Sequence, residues 1–153
     1  MRTLELKVPP PAVALVIAVL MWLLSLAAPP LSFAIPARIL LVSLFAAAGV
    51  AFSIAGVATF ARAKTTVNPT TPQATSSLVS WGVYSITRNP MYLGLLLLLT
   101  AWAIYLPNPL PFLLLPVYVL YINRFQIAPE ERALTSLFGA EFAAYQSRVR
   151  RWI

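Results

Sequence analysis

The sequence contains no cysteine and no histidine among its 153 residues. Without cysteine, the chain has no disulfide, no thiolate nucleophile and no thiolate metal ligand. Without histidine, it lacks both the most frequent general base and the commonest ligand of transition metals. Any reaction of this protein must therefore rely on other side chains, and we predict no metal site.

Acidic residues are also scarce, since the whole chain contains only Glu5, Glu130, Glu131 and Glu141. None of them lies inside an apolar segment, whereas proton-coupled pumps and cation exporters usually carry a carboxylate within the membrane. A small transporter is therefore disfavoured.

The eleven Lys and Arg residues give a net charge of +7, but they stand singly between apolar runs or at their ends. This distribution indicates membrane orientation, and we expect no nucleic-acid partner.

Apolar residues dominate what remains. Hydrophobic residues make up 60% of the sequence and charged residues 10%, against roughly 25% charged residues in soluble domains. This composition predicts an integral membrane protein with room for a single domain over residues 1–153. We predict an all-α bundle of four transmembrane helices at about 12–28, 39–60, 91–105 and 110–127.

Local signals refine the helix boundaries. Asn89 and Pro90 are typical of a helix start, with asparagine as the cap and proline at the first helical position. The third and fourth helices are expected to form a hairpin, and Pro129 is expected to end the fourth. Small residues at 46–49 and 53–56 predict that the second helix packs closely against another helix.

The carboxyl-terminal tail, 128–153, has a different pattern. From Glu130 to about Arg148, apolar residues recur at three- and four-residue steps, which predicts an amphipathic helix on the membrane or against the bundle. With four spans, this tail, the amino terminus and the loop 61–90 share one side, which holds ten of the eleven basic residues when Arg124, near the end of the fourth span, is included. The positive-inside rule places that side in the cytoplasm.

We therefore expect an integral protein of a prokaryotic inner (plasma) membrane, with both termini cytoplasmic and anionic lipids as neighbours. The first segment also resembles a signal peptide. Prolines at positions 29 and 30 suit a cleavage site poorly, so we expect the segment to be retained.

Two polar clusters flank the charge-free hairpin. Their motifs, in chain order, are Leu78-Val79, Gly82-x-Tyr84, Arg88-Asn89-Pro90-x-Tyr92-x-Gly94, Glu130-Glu131-Arg132-x-Leu134, Phe138-Gly139-x-x-Phe142-x-x-Tyr145 and Arg148-Val149-Arg150-Arg151-Trp152. On these motifs, which lie in the carboxyl-terminal half of the chain, the sequence resembles the isoprenylcysteine carboxyl methyltransferase family and its phospholipid methyltransferase relatives.

This resemblance implies a helical bundle that binds S-adenosylmethionine at its cytoplasmic side, releases S-adenosylhomocysteine and methylates an acceptor that arrives from the lipid. Arg88 and Glu131 are the implied catalytic residues, because arginine can orient an anionic acceptor and a glutamate can orient or deprotonate a protonated one. Tyrosines can wall the adenine or attract the sulfonium, and glutamates can accept hydrogen bonds from the ribose hydroxyls. The implied cofactor-binding residues are Leu78, Val79, Gly82, Tyr84, Asn89, Pro90, Tyr92, Gly94, Glu130 and Glu131.

The acceptor is left open. Many family members with prenylated substrates have a histidine where Asn89 stands, and often further helices. An isoprenylcysteine-like carboxylate, a phospholipid amine and a small hydrophobic thiol or phenol all remain candidates, and so does a non-enzymatic membrane scaffold or lipid-binding protein. In that last case Arg88 is an interface anchor and the paired glutamates favour a helix dipole. The basic residues from Arg148 to Arg151 are interpreted as an anchor for lipid headgroups. The sequence does not specify the oligomeric state.

Overall fold

A computed structural model describes residues 5–27, 35–63 and 77–153. Within these ranges every regular element is helical and there is no strand, as the all-α prediction requires. Short 3₁₀ turns at Gly82–Ser85 and Leu110–Leu113 and a π-helix at Asn123–Ile127 accompany the α-helices. The α-helices are α1 (Pro10–Ala27), α2 (Arg38–Arg62), α3 (Pro90–Tyr105), α4 (Leu114–Ile122) and α5 (Ala128–Arg148).

The apolar runs locate the helices well, because α1, α2 and α3 begin and end within two residues of the predicted segments. The loop predicted at 61–90 is described only in part, since its residues 64–76 lie outside the described ranges, as do residues 28–34 around the first turn. By length and composition, α1, α2 and the continuous helical run Leu110–Arg148 can cross a membrane, whereas α3, with 16 residues, is shorter. The protein is thus an integral membrane protein of helical class.

Close packing joins α2 to α3. A Cβ atom built on Gly49 would lie 2.8 Å from the carbonyl oxygen of Gly94, and one built on Gly94 would lie 2.6 Å from the carbonyl oxygen of Gly49. Neither position has room for a side chain, so the backbones of the two helices touch there. The predicted role of the small residues in α2 is confirmed.

The main hydrophobic core lies between α1, α3 and α4. Met21, Ala103, Tyr118 and Ile122 have no exposed surface. The indole Nε1 of Trp102 donates a hydrogen bond to the carbonyl oxygen of Ala18 at 3.0 Å, which ties α3 to α1. Outward-facing apolar side chains on α1 and α2 remain exposed, as expected for helices that contact lipid.

Pro129 does not end the fourth helix, contrary to the prediction. Proline lacks the N–H that would bond to the carbonyl of Phe125, four residues earlier. The helix accommodates the missing hydrogen bond by forming the π-helix, in which the N–H of Ala128 donates to the carbonyl of Asn123. The freed carbonyl oxygen of Phe125 accepts the backbone N–H of Leu6 at 3.0 Å. The helix therefore continues through Pro129 into α5.

A sharp bend divides α5 at Gly139, whose φ of 47° and ψ of −117° lie in a region that favours glycine. The predicted amphipathic helix is therefore two segments, 128–138 and 140–148, and not one straight rod. The apolar side chains of the second segment face the protein. Phe142, Tyr145 and Val149 form a second core cluster with Leu78, Leu134 and Phe138.

Candidate functional site

The stretch from Val79 to Tyr84 forms one wall of the candidate site. Gly82 has a φ of 62°, a conformation that glycine adopts without strain, and it begins the 3₁₀ turn that buries Tyr84. The hydroxyl of Tyr145 donates a hydrogen bond to the carbonyl oxygen of Tyr84 at 2.6 Å. The second segment of α5 is thereby fixed against this turn.

The residues from Thr87 to Asn89 lie against the carboxyl-terminal tail. The backbone N–H of Arg88 donates to the carbonyl oxygen of Arg150 at 3.0 Å. The carbonyl oxygen of Arg151 accepts from Thr87 Oγ1 at 3.3 Å and from Asn89 Nδ2 at 2.8 Å. Side chains separated by more than 60 residues in sequence are thus held at one place.

Asn89 occupies the N-cap position of α3, with Pro90 at the first helical position, as predicted. The side chain of Asn89 makes no capping hydrogen bond, however. It is turned toward the tail instead, because the carbonyl oxygen of Arg151 provides a partner for its amide. The expectation that this side chain caps the helix is wrong.

Glu131 lies at the centre of a cluster of charged side chains. Its Oε1 lies 3.1 Å from Arg88 Nη2 and accepts Arg151 Nε at 3.1 Å, and its Oε2 accepts Arg151 Nη2 at 2.5 Å. The Glu131 side chain is only 17% exposed. Two cations therefore compensate a largely buried carboxylate, an arrangement that fixes its orientation.

Arg88 is incompletely paired within the part of the chain that the structure describes. Its side chain is 13% exposed, yet its Nε and Nη1 are buried without a hydrogen-bond partner among the described residues. The hydroxyl of Tyr84 is likewise buried and without a partner there. Burial raises the pKa of this hydroxyl, so Tyr84 stays protonated. Buried polar groups are nearly always paired, so these three atoms are candidate contacts for a ligand.

Glu130 lies beside this cluster, beyond the apolar part of the fourth helical run. It accepts a hydrogen bond from the hydroxyl of Tyr92. Burial raises the pKa of Glu130 to about 8, with a smaller contribution from the neighbouring Glu131 carboxylate and an opposing one from the Tyr92 hydrogen bond. Glu130 therefore exchanges its proton near neutral pH, unlike an ordinary carboxyl group.

A groove of about 460 Å³ opens next to Glu131 on α5. Its remaining lining residues combine polar side chains with one alanine. They are Ala128, Arg132, Thr135, Ser136 and Gln146.

The other residues named from the sequence lie in less distinctive surroundings. Gly94 faces α2, where its lack of a side chain permits the backbone contact with Gly49. Leu78 packs in the second core cluster, and Val79 and Pro90 are buried. Their part in binding a cofactor stays a prediction.

Sequence reasoning did not identify Arg151 as a partner of Glu131, nor Thr87 and Tyr145 as supports of the site. Arg151 stands in a run of basic residues near the terminus, a pattern that predicts contact with lipid headgroups. No spacing rule relates it to Glu131, 20 residues away, because the bend at Gly139 sets their proximity.

Comparison with known proteins agrees with the motifs. A protein of Haemophilus influenzae described as uncharacterized is 51% identical over 63 residues, which is 41% of this chain and 100% of that relative. No solved structure matches the chain. Residues 37–141, more than half of the chain, match the model of the family described as phospholipid methyltransferase. The chain therefore belongs to the phospholipid methyltransferase family, as its motifs predict.

Proposed function

We propose that this protein transfers a methyl group from S-adenosylmethionine to a lipophilic acceptor, and that Arg88 binds the carboxylate of the cofactor. The observation that carries the proposal is the pair of buried, unpartnered nitrogens Nε and Nη1 on Arg88. Each of these N–H groups can donate a charge-assisted hydrogen bond to a carboxylate oxygen. Family membership implies methyl transfer, and the site supplies a reason for the choice of donor.

The surrounding residues also fit this cofactor. Tyr84 offers a protonated hydroxyl without a partner among the described residues, and the φ of Gly82 lets the backbone turn tightly beside it. The cofactor supplies a methyl group already activated on a sulfonium, so the protein needs neither a metal nor a covalent intermediate. Its residues must hold donor and acceptor in line and exclude water, and alignment of this kind lowers a barrier by several kcal/mol.

Glu131 and Glu130 take different parts in the proposed site. Glu131 is bound by two arginines, so its role is to orient Arg88. Glu130 accepts a hydrogen bond from Tyr92 and has a pKa of about 8, which suits it to take a proton from an acceptor. Arg88 is in turn suited to an anionic acceptor such as an isoprenylcysteine-like carboxylate.

A phospholipid amine is a second candidate acceptor, favoured by the environment of Glu130. An ammonium group must lose a proton before its nitrogen can attack a methyl group, and a carboxylate that titrates near pH 8 can take that proton. Labelled methyl groups should then appear on phosphatidylethanolamine in nanodiscs that contain it. Transfer only to added prenylcysteine analogues would favour the carboxylate acceptor.

We further propose one domain over residues 1–153 with four spans, in which the short α3 crosses together with the run that begins at Leu110. This topology puts Arg88, Glu131 and both termini on the cytoplasmic side of a prokaryotic inner membrane. It gives the site access to a soluble cofactor and the acceptor access from the lipid. Basic residues on that side favour anionic lipids as neighbours.

The test is calorimetric binding of S-adenosylhomocysteine to the protein in nanodiscs. We expect micromolar binding that Arg88→Ala weakens roughly 100-fold and Glu131→Gln about tenfold, because each removes charge-assisted hydrogen bonds worth about 1.5–3 kcal/mol. Arg148→Ala is the matched control, since the Arg148 side chain is exposed and its hydrogen bond goes to its own helix at Ala144.

Wild-type protein that binds no S-adenosylhomocysteine in detergent or in nanodiscs would contradict the proposal. So would an Arg88→Ala variant with unchanged affinity. Either result would favour a scaffold or lipid-binding protein, in which these side chains only anchor helices at the interface.

A further inference from the structure

Arg151 makes the most extensive contact with the carboxylate at the centre of the site. It donates from Nε to Glu131 Oε1 at 3.1 Å and from Nη2 to Oε2 at 2.5 Å. Both carboxylate oxygens are thus engaged by one planar guanidinium, the geometry that arginine forms best with a carboxylate. The side chain of Arg151 is 37% exposed, but its charged end is directed to Glu131 and not to a membrane surface. The hydrogen bond that Arg151 donates to Glu131 accordingly raises the pKa of Arg151.

Arg88 contacts the same carboxylate with a single nitrogen, Nη2, at 3.1 Å from Oε1. Its Nε and Nη1 stay without a partner among the described residues. If Arg151 were absent, Glu131 Oε2 would lose its only described cation, and the lowest-energy arrangement would be a two-point pair with Arg88. Such a pair would consume Nε or Nη1 of Arg88, the atoms that a ligand needs.

We infer that Arg151 is a positioning residue: by holding both oxygens of Glu131, it keeps two N–H groups of Arg88 free for an anionic ligand. This inference rests on the proposed function, since the ligand is the carboxylate of the cofactor. Arg151 lies ten residues beyond the segment that matches the family model, which ends at residue 141.

The tail that carries Arg151 is anchored independently of its side chain. The carbonyl oxygens of Arg150 and Arg151 accept hydrogen bonds from residues 87–89, Val149 is buried, and Trp152 Nε1 donates to Asn123 Oδ1 at 3.1 Å. An Arg151→Gln substitution therefore removes the guanidinium without detaching the tail. Arg150 provides the matched control, because it carries the same charge one residue away and is exposed.

The experiment measures the affinity of S-adenosylhomocysteine for four variants in nanodiscs: Arg151→Gln, Arg150→Gln, Glu131→Gln and the double variant Arg151→Gln/Glu131→Gln. We expect Arg151→Gln to weaken binding about tenfold, because Arg88 then loses one charge-assisted hydrogen bond to the ligand, and Arg150→Gln to change it less than about twofold. Because Arg151 acts through Glu131, its substitution in the Glu131→Gln background should add less than about twofold. A structural or lipid-anchoring role would not produce this non-additivity.

Three results would overturn the inference while leaving the proposed function intact: unchanged affinity in Arg151→Gln, equal losses in Arg150→Gln and Arg151→Gln, or fully additive losses in the double variant. Absence of binding by the wild-type protein would overturn the proposed function, and the inference with it. If Arg151→Gln does not fold, Arg151→Lys serves instead. It keeps the charge but loses the planar fork, so wild-type affinity in that variant would also overturn the inference.

Discussion

Glu130 shows how burial changes the acidity of one residue. Burial favours the protonated form and raises the pKa of Glu130 to about 8; the hydrogen bond from Tyr92 opposes this rise, and the neighbouring Glu131 carboxylate adds to it. The sequence gives no sign of the difference from Glu131, because the two acids are adjacent and follow the same proline. Their surroundings differ because Glu131 faces Arg88 and Arg151, whereas Glu130 faces the tyrosine.

This raised pKa predicts a pH dependence of stability. Between the ordinary value of 4.5 and about 8, the folded protein retains a proton on Glu130 that the unfolded chain has released. The Glu130 carboxyl thus contributes stability below pH 4.5, and this contribution is lost as the pH rises through about 8. Relative to Glu130→Gln, the unfolding midpoint of the wild type in nanodiscs should fall by on the order of 5 °C from pH 5 to pH 8.5.

Glu141→Gln is the control for removing one negative charge, because Glu141 is an exposed residue of the same helix. Other titrating groups are common to both proteins, so their effects cancel in the difference between the unfolding midpoints of wild type and Glu130→Gln. Parallel midpoint curves for these two proteins over the whole pH range would contradict a raised pKa for Glu130.

At the scale of helices, α3 carries the site residues at its amino-terminal end and depends on α2 for its position. The backbone contact at Gly49 and Gly94 leaves no room for a Cβ atom. Gly94→Ala must therefore push the helices apart, and we expect a loss of about 1–3 kcal/mol of stability. Ala51→Val is the control, because Ala51 lies on the exposed side of α2. A thermal midpoint in Gly94→Ala as high as in the control would show that the helices do not touch there.

The helices were predictable because a bilayer requires about 20 apolar residues per span, so composition alone reveals them. Two features of the last helical run were not predictable. The continuation through Pro129 depends on a π-helix and on Leu6, which satisfies the Phe125 carbonyl from more than 100 residues away. The bend at Gly139 depends on a backbone conformation that a glycine permits but does not require.

The candidate site was predictable to a similar extent. Motif spacing identified Arg88 and Glu131, which form an ion pair in the structure, but did not identify Arg151 or the altered role of Asn89. The contacts of Arg151 and Asn89 both depend on where the carboxyl-terminal tail packs against the rest of the protein. Tertiary packing sets that position, and local sequence does not. The basic run near the terminus is typical of a lipid anchor. Its local sequence does not indicate that Arg151 contacts Glu131, because the bend at Gly139 lies between these two residues.

At the scale of the whole molecule, three distant parts of the chain meet at one end of the bundle. The loop before α3 and the tail enclose Glu131, and the amino-terminal segment lies across the junction between the π-helix and α5. Gln126, which is fully buried, donates from Nε2 to the carbonyl oxygen of Val8 at 2.7 Å. Glu5 pairs with Arg124 at 2.9 Å and also with Arg132.

Glu5 is therefore expected to hold the amino-terminal segment on the helical run that carries both glutamates of the site. Arg124, by its hydrogen bond, and Arg132 hold the pKa of Glu5 below its ordinary value, so the tie persists at neutral pH and is lost only as the pH falls through that lowered pKa. Glu5→Gln should raise the hydrogen-exchange rate of the Leu6 amide about tenfold at pH 7, because local opening becomes easier. Lys7→Gln, at an exposed position of the same segment, is the control. Unchanged exchange in Glu5→Gln would mean that the backbone bond to Phe125 and the Gln126 contact hold the segment without the ion pairs.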